Sequence, residues 1–268
     1  MIKLTQGGLP LYKFHNLNRF PELVHFVTTR EGGISIDGDL SLNLGFHSSD
    51  SDVNVLENRR RLAEAVSIPL DRFTHQVQVH SSNIMVVDSC HRGMGSLNQE
   101  SAIQHNDGMV TATEDICLMT KSADCVPILL YDPVERIAAA LHAGWKGMVQ
   151  NIAGKGVAKM VELGSNPTNI LVGIGPSNGP CCYEVGTDVE EAVFAEFGTL
   201  KGLLVAGKGA RLHLDQWEAN RRQLIAAGVL PKNIEVAEIC TQCNHHEFYS
   251  ARMNASGRFV AGILMKAD

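Results

Sequence analysis

The sequence predicts a single α/β (α+β) domain spanning residues 1–268, with mixed β-structure covered by helices. Three observations carry this reading. Apolar runs of strand length alternate with stretches of helical periodicity. Several connections between runs are only hairpin-long. No repeat, low-complexity tract or Pro/Ser-rich linker divides the 268 residues.

Taken in order, Leu23–Thr28 reads as a strand closed by the turn residues Gly32 and Gly33. Val53–Val66 has helical periodicity, with Asp52 as its cap and Ile68-Pro69 as its stop. Thr74–His80 alternates like a strand, and Ile84–Val87 is another. Cys117–Thr120, Val126–Tyr131 and Arg136–Leu141 are apolar runs of strand length, followed by a helix from Met148 to Leu163 and a strand at Ile170–Ile174. Thr187-x-x-Glu190 has the pattern of a capping box for a helix reaching Phe197. Asp215–Ala227 forms a helix stopped by Gly228, and strands at Ile234–Ile239 and Phe259–Leu264 complete the chain.

Composition limits the partners. Lys plus Arg is 23 against 29 Asp plus Glu, a formal charge of −6, which argues against gripping nucleic acid or anionic membrane through bulk charge. Met1–Phe14 has polar residues and glycines where a leader peptide needs an unbroken apolar stretch. The best apolar run, Ile137–Trp145, includes His142 and is too short to span a bilayer. A soluble cytoplasmic protein, monomeric or a weak homo-oligomer, is expected. Its seven cysteines are an odd count in a large chain, so reduced thiols are expected in place of a disulfide framework.

The segment from Ser122 to His142 is the most informative. Two apolar runs flank Asp132-Pro133-Val134-Glu135, and Asp-Pro starts turns. If 132 faces 135, Cys125 faces His142 across the hairpin, close enough to share a metal ion or act as a nucleophile–base couple. Gly144-Trp145-Lys146-Gly147 then turns into a helix whose amides, with Lys146, suit a phosphate or carboxylate. A catalytic zinc commonly takes three protein ligands. The candidates for the third are His75, His80, His91, His105, His245 and His246, and His80, closing the strand at Gln78-Val79-His80-Ser81, is the best placed.

Gln78-Val-His80-Ser, Ala123-Asp-Cys125-Val-Pro and His142-Ala-Gly-Trp-Lys-Gly147 resemble three signature blocks of the YfiH/YlmD laccase-domain family. Thr28-Thr-Arg30-Glu-Gly-Gly33, Ser41-Leu-Asn43-Leu-Gly45, Tyr183-Glu-Val-Gly186, Cys240-Thr241 and Phe248-Tyr-Ser-Ala-Arg252 are similar to further blocks, in family order over nearly the whole chain. The resemblance implies mixed sheets sandwiched between helices, as in cytotoxic-necrotizing-factor-type hydrolases. It implies a zinc ion held by His80, Cys125 and His142, with Cu2+ able to occupy the same site in vitro. It further implies phosphorolysis of adenosine, inosine, guanosine and methylthioadenosine by inorganic phosphate, together with adenosine deamination. Lys146 stands where the family often has Arg, which keeps the charge and loses the bidentate fork.

In that reading Asp124 is a candidate acid/base beside Cys125, although strand parity puts it on the opposite face unless the strand begins only after it. Phosphate is expected near Lys146, Arg30 and the Gly144–Gly147 amides. Asn43, Tyr183, Ser250 and Arg252 are candidate substrate contacts on resemblance alone. Two alternatives are a copper-dependent polyphenol oxidase and a cysteine hydrolase editing peptidoglycan precursors. The first lacks the grouped His-x-His pairs of a multicopper centre, and the second leaves His80 without a task. Cys240-x-x-Cys243 followed by His245 and His246 mimics a zinc finger, but the histidines follow too closely to fold a chain around a metal, so no second zinc is expected there. Cys181-Cys182 is read as a turn near the site, in a glycine-rich segment that is a candidate mobile loop facing the substrate.

Overall fold

The computed structural model describes residues 1–36, 41–46, 49–207, 209 and 211–267. The chain opens with a hairpin, β1 (Ile2–Gln6) and β2 (Leu9–Lys13), then β3 (Leu23–Thr28), α1 (Asp52–Val66), β4 (Phe73–His75), β5 (Ile84–Val86) and β6 (Gly108–Thr111). Next come β7 (Cys117–Ser122), β8 (Val126–Asp132), β9 (Ile137–Ala143), α2 (Trp145–Met148), α3 (Ile152–Glu162) and β10 (Leu171–Ile174). The chain closes with α4 (Thr187–Phe197), β11 (Leu204–Ala206), β12 (Leu212–Leu214), α5 (Gln216–Ala226), β13 (Ile234–Val236) and β14 (Phe259–Met265).

The strands form two six-stranded mixed sheets, in the orders β1-β2-β3-β14-β7-β4 and β13-β10-β8-β9-β6-β5, with β11 and β12 as a separate pair. Side-chain alternation explains the layering. On β8, Leu129 and Tyr131 point toward the first sheet and pack with Leu118, Phe259 and Ile263. Their neighbours Ile128 and Leu130 point the other way, onto Ile152, Val157 and Met160 of α3. On the first sheet, Phe26, Met119 and Val260 meet Leu62 and Val66 of α1. The result is helix, sheet, sheet, helix, with the central strands buried on both faces, which is why β8 and β9 read as unbroken apolar runs.

Several expected boundaries move, each for a local reason. Ser51, not Asp52, caps α1 by accepting from the Asn54 N–H, and Ser67 ends the helix in the left-handed conformation before Ile68-Pro69. The expected Met148–Leu163 helix is two helices, because Asn151 at φ 60° breaks it and caps α3 through the Gly154 N–H. Gly186 caps α4, and no side chain completes the expected box at Thr187. The strand expected over Thr74–His80 stops at His75; beyond it the Val77 N–H bonds the Ile103 carbonyl, and the N–H groups of Val79, His80 and Ser81 turn onto a buried carboxylate.

Candidate active site and metal centre

Two of the three expected ligands lie where the chain changes sheets. β7 belongs to the first sheet and β8 to the second, so Ala123-Asp124-Cys125 is a three-residue crossover. The segment joining β4 to β5 also passes from the first sheet to the second, and it carries His80 at φ 60°. His142 stands near the end of β9.

The β8–β9 register differs from the expected one. Asp132 lies opposite Ile137, and His142 faces Pro127, not Cys125. The turn is four residues long, 133–136, ending in Arg136 at φ 51°. This shift of two positions preserves side-chain parity, so Cys125 and His142 remain diagonal neighbours on one face. The donor atoms of His80, Cys125 and His142 all lie within 4.8 Å of one another. The two imidazoles meet edge to face, with centroids 5.1 Å apart. Gly144 makes room for them: a Cβ there would lie 2.6 Å from His80 Cδ2 and 3.3 Å from Cys125 Sγ.

Asp107, which the sequence reading did not single out, organises this cluster. It is fully buried and accepts the Nδ1–H of His142 at 2.8 Å. It also accepts the backbone N–H groups of Val79, His80 and Ser81 at 3.2, 3.0 and 2.6 Å, and the Ser81 hydroxyl at 2.8 Å. One carboxylate therefore fixes a ring and the loop of a second ring. Its only sequence signal is an acid placed just before the fully buried strand β6.

The charges follow from burial and contact. Burial alone would raise the Asp107 carboxyl, but the hydrogen bond and charge of His142 and the Ser81 donors hold it at about 2. Burial would also raise the Cys125 thiol, yet the His142 and His80 imidazoles bring it down to about 6. His142, lowered by burial, is raised overall to about 9 by Cys125 and Asp107.

These residues floor a cavity of about 670 Å³, a size suited to a small organic ligand. Phe46, Trp145 and Tyr183 give it aromatic walls, and Lys121, Arg252 and Arg258 give it positive charge. Among the described residues, none of these three cations forms a salt bridge. Burial and the nearby charges of Arg59 and Arg258 bring the Lys121 ammonium down to about 7. The Arg252 guanidinium stacks on Tyr183, 5.2 Å from the ring centroid.

Asp124, Tyr183 and Arg252 line the cavity with the three-residue cluster. Asp124 precedes β8, which removes the parity conflict, and adopts φ 96°. Its carboxylate accepts the Thr241 hydroxyl at 2.7 Å and the Arg252 N–H at 2.9 Å, so both oxygens hold neighbouring loops. Arg30, Asn43, Lys146 and Ser250 are outside the cavity lining. Arg30 donates to the His245 carbonyl at 2.7 Å and borders a separate cavity of about 460 Å³. Asn43 is buried and accepts the Arg258 N–H at 2.9 Å. Lys146 sits over Trp145 on a helix of four residues, too short to aim a row of amides at an anion. Ser250 is buried. The cations that face the cavity are Lys121, Arg252 and Arg258, whereas Lys146 and Arg30, beside which phosphate is expected, lie outside its lining. His75 is buried in β4, and among the described residues neither it nor His105, His245 or His246 joins a metal-capable group, while His91 belongs to a separate, more exposed one with Asp88 and Cys90.

The donor chemistry fits a zinc or copper ion. Two imidazoles and a depressed thiol converge, and Asp107 occupies one ring nitrogen of His142 so that the other is presented, the usual support for a metal-binding histidine.

Residues 24–266 match the sequence profile of the family described as multi-copper polyphenol oxidoreductase laccase. A purine nucleoside phosphorylase from Bacteroides thetaiotaomicron is 34% identical over 269 residues, covering 99% of both chains. Adenosine deaminase RL5, from an unknown prokaryotic organism, is 35% identical over 244 residues, covering 90% of this chain and 93% of its own. The crystal structure of YlmD from Geobacillus stearothermophilus superposes with a TM-score of 0.90 at 34% identity, covering 97% of this chain and 96% of that one. With two sheets between helices and a His–Cys–His cluster at their crossover, the chain belongs to this YfiH/YlmD laccase-like family.

Proposed function

We propose that the chain is a zinc-dependent purine nucleoside phosphorylase, acting on adenosine, inosine, guanosine and methylthioadenosine, with adenosine deaminase activity. The observation that carries this is one cavity with a His80–Cys125–His142 cluster at its floor and Lys121, Arg252 and Arg258 on its walls without carboxylate partners. Unpaired cations in a half-enclosed space recognise a dianion such as inorganic phosphate, and the aromatic walls offer flat surfaces to a purine.

Within that reading His80, Cys125 and His142 hold the metal, which supplies Lewis-acid polarisation and water activation. Arg252 and Arg258 orient phosphate toward the sugar carbon. The Tyr183 phenol is raised by burial first and then by the charge at Cys125, so it stays protonated and serves as a donor. Asp124, with both oxygens engaged, acts by positioning Arg252 and Thr241. Arg30, bonded to the His245 carbonyl, and Asn43, bonded to the Arg258 N–H, hold the surrounding loops.

The test is phosphate-dependent turnover of inosine and adenosine by wild type and Cys125→Ala. Loss of ribose 1-phosphate formation in the variant is expected, and unchanged formation overturns the assignment. A second reading, a cysteine hydrolase, is favoured by the Asp107–His142–Cys125 series, which has the order of an acid–base–nucleophile relay. A chelator separates the two, since a hydrolase survives it and the metal enzyme does not. Polyphenol oxidation is not favoured: no metal-capable group among the described residues contains more than two histidines.

We also place the protein in the cytoplasm, as a monomer or weak homo-oligomer. Its seven free cysteines support a reducing compartment, and no described helix is long and apolar enough to cross a membrane.

A further inference from the structure

Four of the six cysteines that the proposed chemistry does not use converge on one point. Cys181 and Cys182 lie in the segment between β10 and α4, and Cys240 and Cys243 lie in the segment after β13. Their sulfurs all fall within 4.8 Å of one another. Cys243 Sγ is 3.6 Å from Cys181 Sγ and 3.4 Å from Cys182 Sγ. A disulfide needs about 2 Å, whereas four thiolates around a tetrahedral zinc, with bonds of about 2.3 Å, lie about 3.8 Å apart. The separations match the tetrahedron. The Gly179 N–H donates to Cys240 Sγ at 3.3 Å, the kind of backbone bond that stabilises a metal-bound thiolate.

We propose that Cys181, Cys182, Cys240 and Cys243 form a second metal site, a four-thiolate zinc clip separate from the His80–Cys125–His142 cluster. The finger-like spacing misleads because the second pair of ligands comes from the segment before α4 and not from His245 and His246. Neither histidine belongs to the group. With four protein ligands the site is closed, so its role is structural. It ties together two segments that wall the cavity. Tyr183 follows Cys182 directly, and Thr241, which follows Cys240, donates to Asp124. The ion thereby holds the segment of Tyr183 against the segment that anchors Asp124.

The site predicts two zinc ions per chain in wild type and one in either Cys243→Ser or Cys125→Ala, counted by plasma mass spectrometry on protein purified with zinc and reductant. Equal zinc counts in wild type and Cys243→Ser overturn the proposal, whatever the occupancy of the His80–Cys125–His142 cluster. Wild-type protein gives a second readout should Cys243→Ser not fold. Cys181 and Cys243 are solvent-exposed, so iodoacetamide should label them slowly in the zinc-loaded protein and at least ten-fold faster after EDTA. Equal labelling with and without EDTA, or a Cys181–Cys243 or Cys182–Cys243 disulfide in the reduced preparation, overturns it as well. Because the count reads metal and not turnover, it stands apart from the enzymatic assignment.

Discussion

Asp107 and His142 share two bonds: the Asp107 carboxylate accepts the ring Nδ1–H at 2.8 Å, and the Asp107 carbonyl accepts the His142 backbone N–H at 2.7 Å. Ring and strand are thus locked to one residue. Asp107→Asn keeps the size but offers a donor NH2 where acceptor lone pairs are needed. Metal affinity, read by competition with a chelator, should fall about 10–100-fold. Affinity within two-fold of wild type would show that Asp107 does not orient the ligand.

Arg252 and Arg258 divide the two proposed activities. Phosphorolysis needs phosphate, whereas deamination needs only water. Arg252→Met and Arg258→Met should each raise the KM for phosphate about ten-fold or more, the worth of a charged hydrogen bond, and leave deamination within about two-fold. Parallel loss of both activities would place the two arginines on the nucleoside.

Gly144→Ala tests the closeness of His80 to the β9 end. The added methyl would sit 2.6 Å from the His80 ring, so ring or loop must shift. Metal affinity should drop more than thermal stability does, measured by chelator competition alongside melting. A variant with unchanged affinity would mean the His80 loop gives way freely.

His25 sets an acid limit on the fold. It is buried on β3 and its Nε2 accepts the Phe14 N–H at 2.9 Å. Burial first, then the Lys13 charge, lowers it from 6.5 to about 4. The proton therefore binds the unfolded chain more tightly. This contribution to stability is complete above pH 6.5 and erodes as pH falls toward 4, a loss of about 3 kcal/mol. Urea midpoints at pH 7 and pH 4.5 should differ less for His25→Gln, whose amide oxygen can accept the same N–H, than for wild type. An equal difference in both proteins would move the acid sensitivity elsewhere.

The hairpin shows what a sequence can and cannot specify. Parity along β8 and β9 follows from apolar alternation, so Cys125 and His142 were legible as sharing a face. Their pairing depends on turn length, and Arg136 in the left-handed region lengthens the turn by two residues. His80 was legible as a ligand but not as a loop residue, because Val77 and Val79 imitate strand alternation while the neighbouring N–H groups are committed to Asp107. Asp107, Lys121 and Arg258 went unseen because their importance lies in what they face across the fold. Cys181–Cys182 and Cys240–Cys243 met for the same reason, each pair completing the other only in three dimensions. The β1–β2 hairpin carries a weak sequence signal, because Met1–Phe14 mixes polar residues and glycines with its apolar positions.

The Ala123-Asp124-Cys125 crossover joins the two sheets through only three residues. Neither layer can slide over the other at that point without dragging the thiol along. Under the proposed function, altering nucleoside preference calls for reshaping Phe46, Trp145 or Tyr183 on the cavity wall while sparing this short link.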